Sequence, residues 1–150
     1  MASKQWSVEF EGLEELMGKL ESAGGSTMET VAREALRETH ALVTPEIKKR
    51  ISPGNLPAGG RYSGRSPGPS IQDALIDTAN VEGWGSTLFI RTGFEVGKLP
   101  RRHIVFLIQG TPKMPAVKGL KGVVRGSGVK KKVQVRQREV FERAVRELLR

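Results

Sequence analysis

Hydrophobic and polar residues alternate in two different ways along the first fifty positions. Residues 6–10, with the sequence WSVEF, alternate with a period of two, which predicts a short strand. Apolar residues then recur at helical spacing from Leu13 to Leu20, which predicts a first short helix. After Gly24-Gly25 a longer apolar stripe runs from Met28 to Ile47 and predicts a second helix reaching about Arg50.

Two features punctuate the long helix. Ser26 and Glu29 have the spacing of a capping box, which would satisfy free amide groups where the helix begins. Pro45 has no amide hydrogen, so it predicts a kink or an end of the helix near Thr44.

The second half of the chain predicts a small sheet and a closing helix. Residues 87–91 (TLFIR) and 103–108 (HIVFLI) are rich in branched and aromatic side chains and predict strands. Residues 83–86 (GWGS) predict a hairpin turn, whereas residues 71–81 fit either a strand or a helix. Apolar positions from Val140 to Leu149 predict an amphipathic helix at the end of the chain.

Two glycine-rich stretches predict long flexible loops, at about residues 52–70 and 117–133. The first holds four Pro and five Gly, and residues 117–132 hold six Lys or Arg and four Gly. Together the segments predict one α+β domain over residues 1–150. In this fold a small antiparallel sheet is packed by a long central helix and a C-terminal helix.

The chain of 150 residues contains no Cys, which excludes disulfides, thiolate zinc sites and Cys nucleophiles. Its apolar runs fall short of the roughly 20 residues that a membrane helix needs, so we expect no membrane partner. The opening letters MASKQWSVEF lack the apolar core of a signal peptide. We therefore expect a protein that is soluble in the compartment where it is made.

The net charge of +9 is spread unevenly. Residues 1–40 hold eight acidic and four basic residues, whereas residues 41–133 hold sixteen basic and five acidic ones. Such a chain can meet polyanions, or a second copy of itself head to tail. Contact with phosphates needs charge and reach rather than exact geometry. The candidate DNA-facing residues are Arg61, Arg65, Lys118, Lys121, Arg125, Lys130, Lys131 and Lys132.

Catalytic patterns are weak in this sequence. His40 and His103 are the only histidines, and a metal site needs more converging ligands. Asp73 and Asp77 would share a helix face if residues 71–81 were helical, which keeps a nuclease open as an alternative. The glycines at 59, 60 and 64 lack the spacing of a phosphate-binding loop. We predict no enzyme, no metal and no cofactor.

Several phrases resemble the head–tail joining proteins (tail-completion, or neck, proteins) of long-tailed bacteriophages. The chain opens with VEFEGLEEL at residues 8–16, and the long helix leads into a loop with SPGNL at 52–56. GTPKMPA follows at 110–116, and an aromatic residue leads the last helix in FERAV at 141–145. The chain places 24 residues, 117–140, between the last two phrases, where the family has few.

The resemblance implies a structural virion protein without catalysis, made in the host cytoplasm and located at the head–tail interface of the virion. It implies a homo-oligomeric ring, commonly a hexamer, between the head connector (portal) and the tail, with genome DNA passing through. A small basic nucleic-acid-binding protein is the alternative function. The candidate subunit or partner contacts are Gly110, Thr111, Pro112, Lys113, Met114, Pro115 and Trp84, although an ordinary turn also accounts for residues 110–115.

Overall fold

A computed structural model describes residues 3–22, 25–52, 56, 71–83, 87–95, 101–112 and 115–148. Of the loop predicted at 52–70, only Ser52 and Leu56 belong to this set. The rest of that prediction lies outside the described residues.

The predicted α+β fold is confirmed: a small antiparallel sheet is accompanied by a long central helix and a C-terminal helix that pack against it. The described residues form three strands, in the sheet order β1-β3-β2, and six helices. The strands are β1 (Ser3–Trp6), β2 (Val81–Glu82) and β3 (Phe89–Gly93). The helices are α1 (Leu13–Glu21), α2 (Gly25–Arg50), α3 (Ile71–Ala74), α4 (Arg101–Gln109), α5 (Leu120–Arg125) and α6 (Lys130–Leu148).

The chain divides into two compact units, each assembled from separate stretches of sequence. The first comprises Met1–Lys4, Val43–Thr78 and Thr92–Val129, and the second comprises Gln5–Leu42, Ala79–Arg91 and Lys130–Arg150. Thirteen Lys and Arg and four Asp and Glu give the first a net charge of +9. Twelve of each sign give the second a net charge of zero. We call them the basic unit and the neutral unit.

The core of the neutral unit joins the beginning and the end of the chain. The rings of Phe10 and Phe141 meet edge to face, with centroids 5.6 Å apart. Such an aromatic pair contributes about 0.5–1.5 kcal/mol beyond the area that it buries. The buried members of this cluster come from α1, α2, α6 and the segment before α1: Phe10, Leu20, Val31, Ala35, Val140, Phe141 and Val145.

The strand predicted at residues 6–10 is displaced, because β1 ends at Trp6. The backbone beyond it bonds to a side chain instead of a neighbouring strand. The Gln137 amide donates from Nε2 to the Ser7 carbonyl, 3.2 Å away, and its Oε1 accepts from the Glu9 amide, 3.1 Å away. Gln137 thus replaces a strand partner over these three residues.

The long helix continues through Pro45, so the predicted end near Thr44 is wrong. Pro45 leaves the Ala41 carbonyl without its helical donor. Both residues are exposed, so water can replace that donor, while Val43 and Ile47 stay buried on the opposite side. The helix begins at Gly25, which puts Ser26 inside it, and the Glu29 carboxylate bonds to Arg33 at 2.9 Å.

A two-stranded hairpin is formed as predicted, and a short helix and a single β-bridge precede its first strand. β2 and β3 pair antiparallel, with Val81 opposite Ile90 and Glu82 opposite Phe89. Residues 71–81, which fit either a strand or a helix, contain both: α3 comes first, then a single bridge from Leu75 to Phe94, then β2.

The third strand, predicted at residues 103–108, is wrong, because this segment lies within helix α4. Its branched residues favour a strand when each is considered alone. However, Ile104, Leu107 and Ile108 are all buried, and a spacing of three and four is that of a helix face. Burial of this face therefore decides the conformation against local propensity.

The flexible loop predicted at about 117–133 is also wrong. Helix α5 and the first turn of α6 occupy most of it. Five apolar residues that lie between the glycines and lysines are buried, and this burial holds the segment in a fixed conformation. They are Val117, Leu120, Val123, Val124 and Val129. The glycines give tight turns between the two helices rather than a mobile loop.

Candidate functional site

The basic residues of α5 lie on one exposed side of a well-packed helix. Lys121 and Arg125 are exposed and four residues apart, so they share a helix face, and exposed Lys118 precedes the helix. Leu120, Val123 and Val124 bury the opposite side. We call Lys118, Lys121 and Arg125 the α5 face.

Helix α5 is closed at its C-terminal end by backbone hydrogen bonds. Gly126 has a φ of +83° and donates to the Val123 carbonyl at 3.1 Å. Gly128 then donates to the Gly122 carbonyl at 3.0 Å, and the two glycines touch. A Cβ on Gly128 would lie 3.4 Å from the backbone of Gly122. The α5 face is therefore held on a folded support.

The C-terminal end of α2 lies against the beginning of α5. A Cβ on Gly119 would come 2.7 Å from Nε of Arg50, so these two residues are neighbours. Two of the positive charges at this end of α2 are matched locally. Arg50 bonds to the Glu46 carboxylate at 2.9 Å, and Lys48 bonds to the Asp77 carboxylate at 2.7 Å. The α5 face has no ion pair with another described residue.

Lys130, Lys131 and Lys132 form a second basic group, in the neutral unit. All three are exposed and occupy the first turn of α6, where no acidic residue stands. The N-terminus of a helix carries a partial positive charge, so each lysine there is unfavourable by about 0.3–1 kcal/mol at low salt. Dissolved anions or an anionic partner would relieve this repulsion.

An acidic segment lies before and along α1, and all of its carboxylates are exposed. Its members are Glu9, Glu11, Glu14, Glu15 and Glu21. Among the described residues, one ion pair involves this segment: Glu15 bonds to Lys19, four residues on, at 3.5 Å. The acidic residues of this segment and the candidate DNA-facing residues are thus exposed wherever the structure describes them.

The segment 110–116 closes a helix rather than a strand. Gly110 has a φ of +80° and donates to the Phe106 carbonyl at 2.8 Å, which ends α4. Val117 returns to the same helix end and donates to the Leu107 carbonyl at 2.9 Å. Pro112 and Pro115 are exposed and Thr111 is half-buried. A partner contact by these residues stays a prediction.

Four candidate residues lie outside the described part of the chain: Arg61, Arg65, Lys113 and Met114. Trp84, predicted at the hairpin tip, lies outside it as well. Gly83, which precedes Trp84, has a φ of +87°, in keeping with a turn at this point. Contacts of these five residues remain predictions.

The two carboxylates considered for a nuclease do not share a helix face. Asp73 belongs to α3, which ends at Ala74, whereas Asp77 lies beyond it and pairs with Lys48. His40 is buried within α2. Among the described residues, no group of three or more His, Asp and Glu could hold a metal ion. Nor is any described helix long and apolar enough to cross a membrane.

Sequence reasoning missed Gln137, a buried polar side chain of the neutral unit with three hydrogen bonds. It is fully buried, and besides Ser7 and Glu9 it bonds to Oγ1 of Thr39 at 2.9 Å. Thr39 in turn donates to the Ala35 carbonyl. A signal existed in the sequence: Gln137 occupies a position of the apolar stripe of α6, four residues after Val133 and three before Val140.

Comparison with protein-family models, with curated proteins and with solved structures finds no match for this chain. The phrases that resemble head–tail joining proteins can nevertheless be located in the fold. Residues 8–16 run from the end of β1 into the first turn of α1. Residues 141–145 lie inside α6, which begins at Lys130, so the expectation that Phe141 leads the last helix is wrong. The contact of Phe10 with Phe141 brings these two phrases together.

Proposed function

We propose that this chain is a structural virion assembly protein, a ring-forming head–tail joining or tail-completion component of a long-tailed phage. One observation carries the proposal. The phrases at residues 8–16 and 141–145, which resemble the same family, meet in one core through Phe10 and Phe141. Both phrases therefore supply buried residues to the same core.

The distribution of charge supports assembly through unlike surfaces. A basic unit of net charge +9 and an exposed acidic segment in the neutral unit belong to the same chain. When two different surfaces of a protein bind each other, the contact repeats from copy to copy and closes into a ring if the rotation allows. The partners in this proposal are further copies, the head connector and tail proteins, with genome DNA passing through the ring in the virion.

Light scattering coupled to size-exclusion chromatography tests the proposal. The chain is measured alone and after mixing with the connector protein of its own phage, and electron microscopy of the assembled fraction shows whether rings form. We expect a closed oligomer under at least one of the two conditions. A monomer under both would refute ring formation.

A second candidate function, nucleic-acid binding, is favoured by Lys130, Lys131 and Lys132 in the first turn of α6. Phosphate groups would relieve the repulsion between these lysines and the helix dipole. This function predicts duplex DNA binding at micromolar or lower Kd that weakens steeply as salt is added. Absence of binding at low salt would reject it.

A further inference from the structure

We infer that the α5 face is one half of a contact between copies, and that the acidic segment at α1 of a second copy is the other half. The inference rests on the self-association in the proposed function and names the surfaces that produce it. Three cations, Lys118, Lys121 and Arg125, would meet three carboxylates, Glu11, Glu14 and Glu21.

The α5 face has the properties of a surface with a defined partner. Its helix is short, but the buried Leu120, Val123 and Val124 and the closing bond from Gly128 to Gly122 fix its position. Side chains on a fixed support lose less conformational entropy on binding than side chains on a mobile loop. A fixed array of charges also favours a partner with a fixed array of opposite charges.

The charges of the α5 face are unpaired among the described residues, because the two acidic residues Glu46 and Asp77 form ion pairs with residues of α2. Asp77 pairs with Lys48, and Glu46 pairs with Arg50, which adjoins Gly119 at the start of α5. Lys118, Lys121 and Arg125 are exposed and have no ion pair with any other described residue. Their compensation must therefore come from dissolved ions or from another molecule.

The acidic segment has a matching surplus. Glu15 is paired with Lys19, whereas Glu9, Glu11, Glu14 and Glu21 are exposed and have no ion pair within the described part of the chain. Glu14 lies in the first turn of α1, where the helix dipole favours a negative charge. The carboxylates are therefore available to a cationic partner.

On the α5 face alone, the number of unpaired cations favours a second copy over nucleic acid as the partner of this face. Three phosphate contacts would change the logarithm of the binding constant with a slope of roughly −2.7 against the logarithm of salt concentration. DNA binding whose affinity falls steeply as salt is added typically involves about 6–10 such contacts. Three cations against three carboxylates, by contrast, form a balanced protein contact, and the chain supplies both sides.

Charge reversal with restoration by mixing tests the inference. One triple variant carries K118E, K121E and R125E, and a second carries E11K, E14K and E21K. Sedimentation velocity over a wide concentration range measures self-association of each variant alone and of an equimolar mixture. We expect each variant alone to associate at least about tenfold more weakly than the wild type, because attraction becomes repulsion. In the mixture the opposite charges face each other again, so association should return in even-numbered assemblies.

The matched control carries K130E, K131E and K132E. It changes the net charge by the same amount as the α5 triple variant and, like that variant, replaces only exposed basic residues. We expect its association to stay within about twofold of the wild type. An equal loss in this control would assign the effect to net charge and overturn the inference. Circular dichroism of all variants checks that α5 and α6 remain folded.

The outcomes separate this inference from the proposed function. If the wild type does not associate, alone or with connector protein, the proposed function fails. If the wild type associates and the α5 triple variant associates equally well, only the inference fails. A third result, in which the α5 triple variant keeps its association but loses binding to a duplex DNA of random sequence, assigns the face to nucleic acid and also overturns the inference.

Discussion

The basic and neutral units hold their charges in different ways. The neutral unit balances twelve acidic and twelve basic residues, and several pairs join different elements, such as Arg136 with Glu38 and Arg143 with Glu34. The basic unit has four acidic residues for thirteen basic ones, so most of its charge has no acid within the same unit. The charges of the neutral unit therefore sum to zero, although its acidic segment, apart from Glu15, and the three lysines at the start of α6 have no ion pair among the described residues, whereas the basic unit has a net positive surplus.

The interiors of the two units differ as well. In the neutral unit an aromatic pair and a buried amide hold the two ends of the chain together, through Phe10 with Phe141 and through Gln137. In the basic unit the buried residues around α5 are aliphatic, and glycines form the turns between them. Changes to large or polar side chains should therefore be most severe in the neutral unit, and changes to glycine in the basic unit.

The largest effect is expected from Phe141→Ala. Phe141 is 1% exposed and packs against Phe10, so truncation leaves a cavity and should lower the free energy of unfolding by about 3–5 kcal/mol. Urea denaturation followed by circular dichroism measures the change. Val135→Ala on the same helix is the control, because Val135 is 58% exposed and should change stability by less than about 0.5 kcal/mol. Similar losses in both variants would contradict the assigned core.

Gln137→Leu should have the next largest effect. Leucine leaves the Ser7 carbonyl and the Glu9 amide without their partner, and each buried group left unpaired costs about 1–3 kcal/mol. The Thr39 hydroxyl loses the bond from Gln137 and keeps its own bond to the Ala35 carbonyl. Since residues 7 and 9 are partly open to water, we expect a total loss of about 2–4 kcal/mol. Hydrogen exchange should become faster at the Glu9 amide in particular. Gln134→Leu, at a half-buried site on the same helix, is the control and should change neither quantity appreciably.

Phe141 and Gln137 show how far sequence patterns reach. The helical period of the final segment placed Phe141 in the core correctly. The predicted helix began at Val140 and so did not include residue 137; extending its period backwards puts Gln137 on the buried side, but a polar residue there gives no indication of its partners. Those partners, Ser7 and Glu9, lie about 130 positions away in the sequence. Local periodicity gives the face of a helix, whereas long-range pairing must be found in the fold.

The failures in the basic unit have a different origin. Residues 103–108 were assigned by the strand propensity of their branched side chains, although Ile104, Leu107 and Ile108 have helical spacing. Residues 117–132 were assigned by glycine content, although every third or fourth residue from Val117 to Val124 is apolar and buried. Composition outweighed periodicity in both predictions. Lys118, Lys121 and Arg125 are exposed although the loop prediction was wrong, because charged residues avoid burial in either conformation.

A pair of glycine substitutions sharpens the contrast between the units. Gly119 in the basic unit has a φ of +78°, and a Cβ there would approach Arg50, so Gly119→Ala should destabilise the protein by about 1–2 kcal/mol. Gly18 in α1 of the neutral unit has open space around it, so Gly18→Ala should stabilise the protein by about 0.5–1 kcal/mol. Thermal unfolding of both variants measures the two shifts. Shifts of the same sign would contradict the assigned backbone at one of the two positions.

The smallest effect, and the most direct test of the charge comparison, concerns one ion pair in each unit. The pairs are Lys48 with Asp77 in the basic unit and Arg143 with Glu34 in the neutral unit. Both pairs are about half-exposed, so each coupling energy should be about 0.2–1 kcal/mol in a double-mutant cycle.

The single variants should differ more in their effect on stability. Asp77→Asn leaves Lys48 beside Lys49 and Arg50, where repulsion adds to the lost attraction. Glu34→Gln leaves Arg143 in a unit that still holds eleven carboxylates against twelve cations. Added salt screens repulsion between exposed charges. We therefore expect Asp77→Asn to be the more destabilising variant at low salt and the two to converge in high salt. Equal effects at low salt would mean that the surplus of the basic unit is too dispersed to act on its own residues, and the case for a partner would then depend on the α5 face alone.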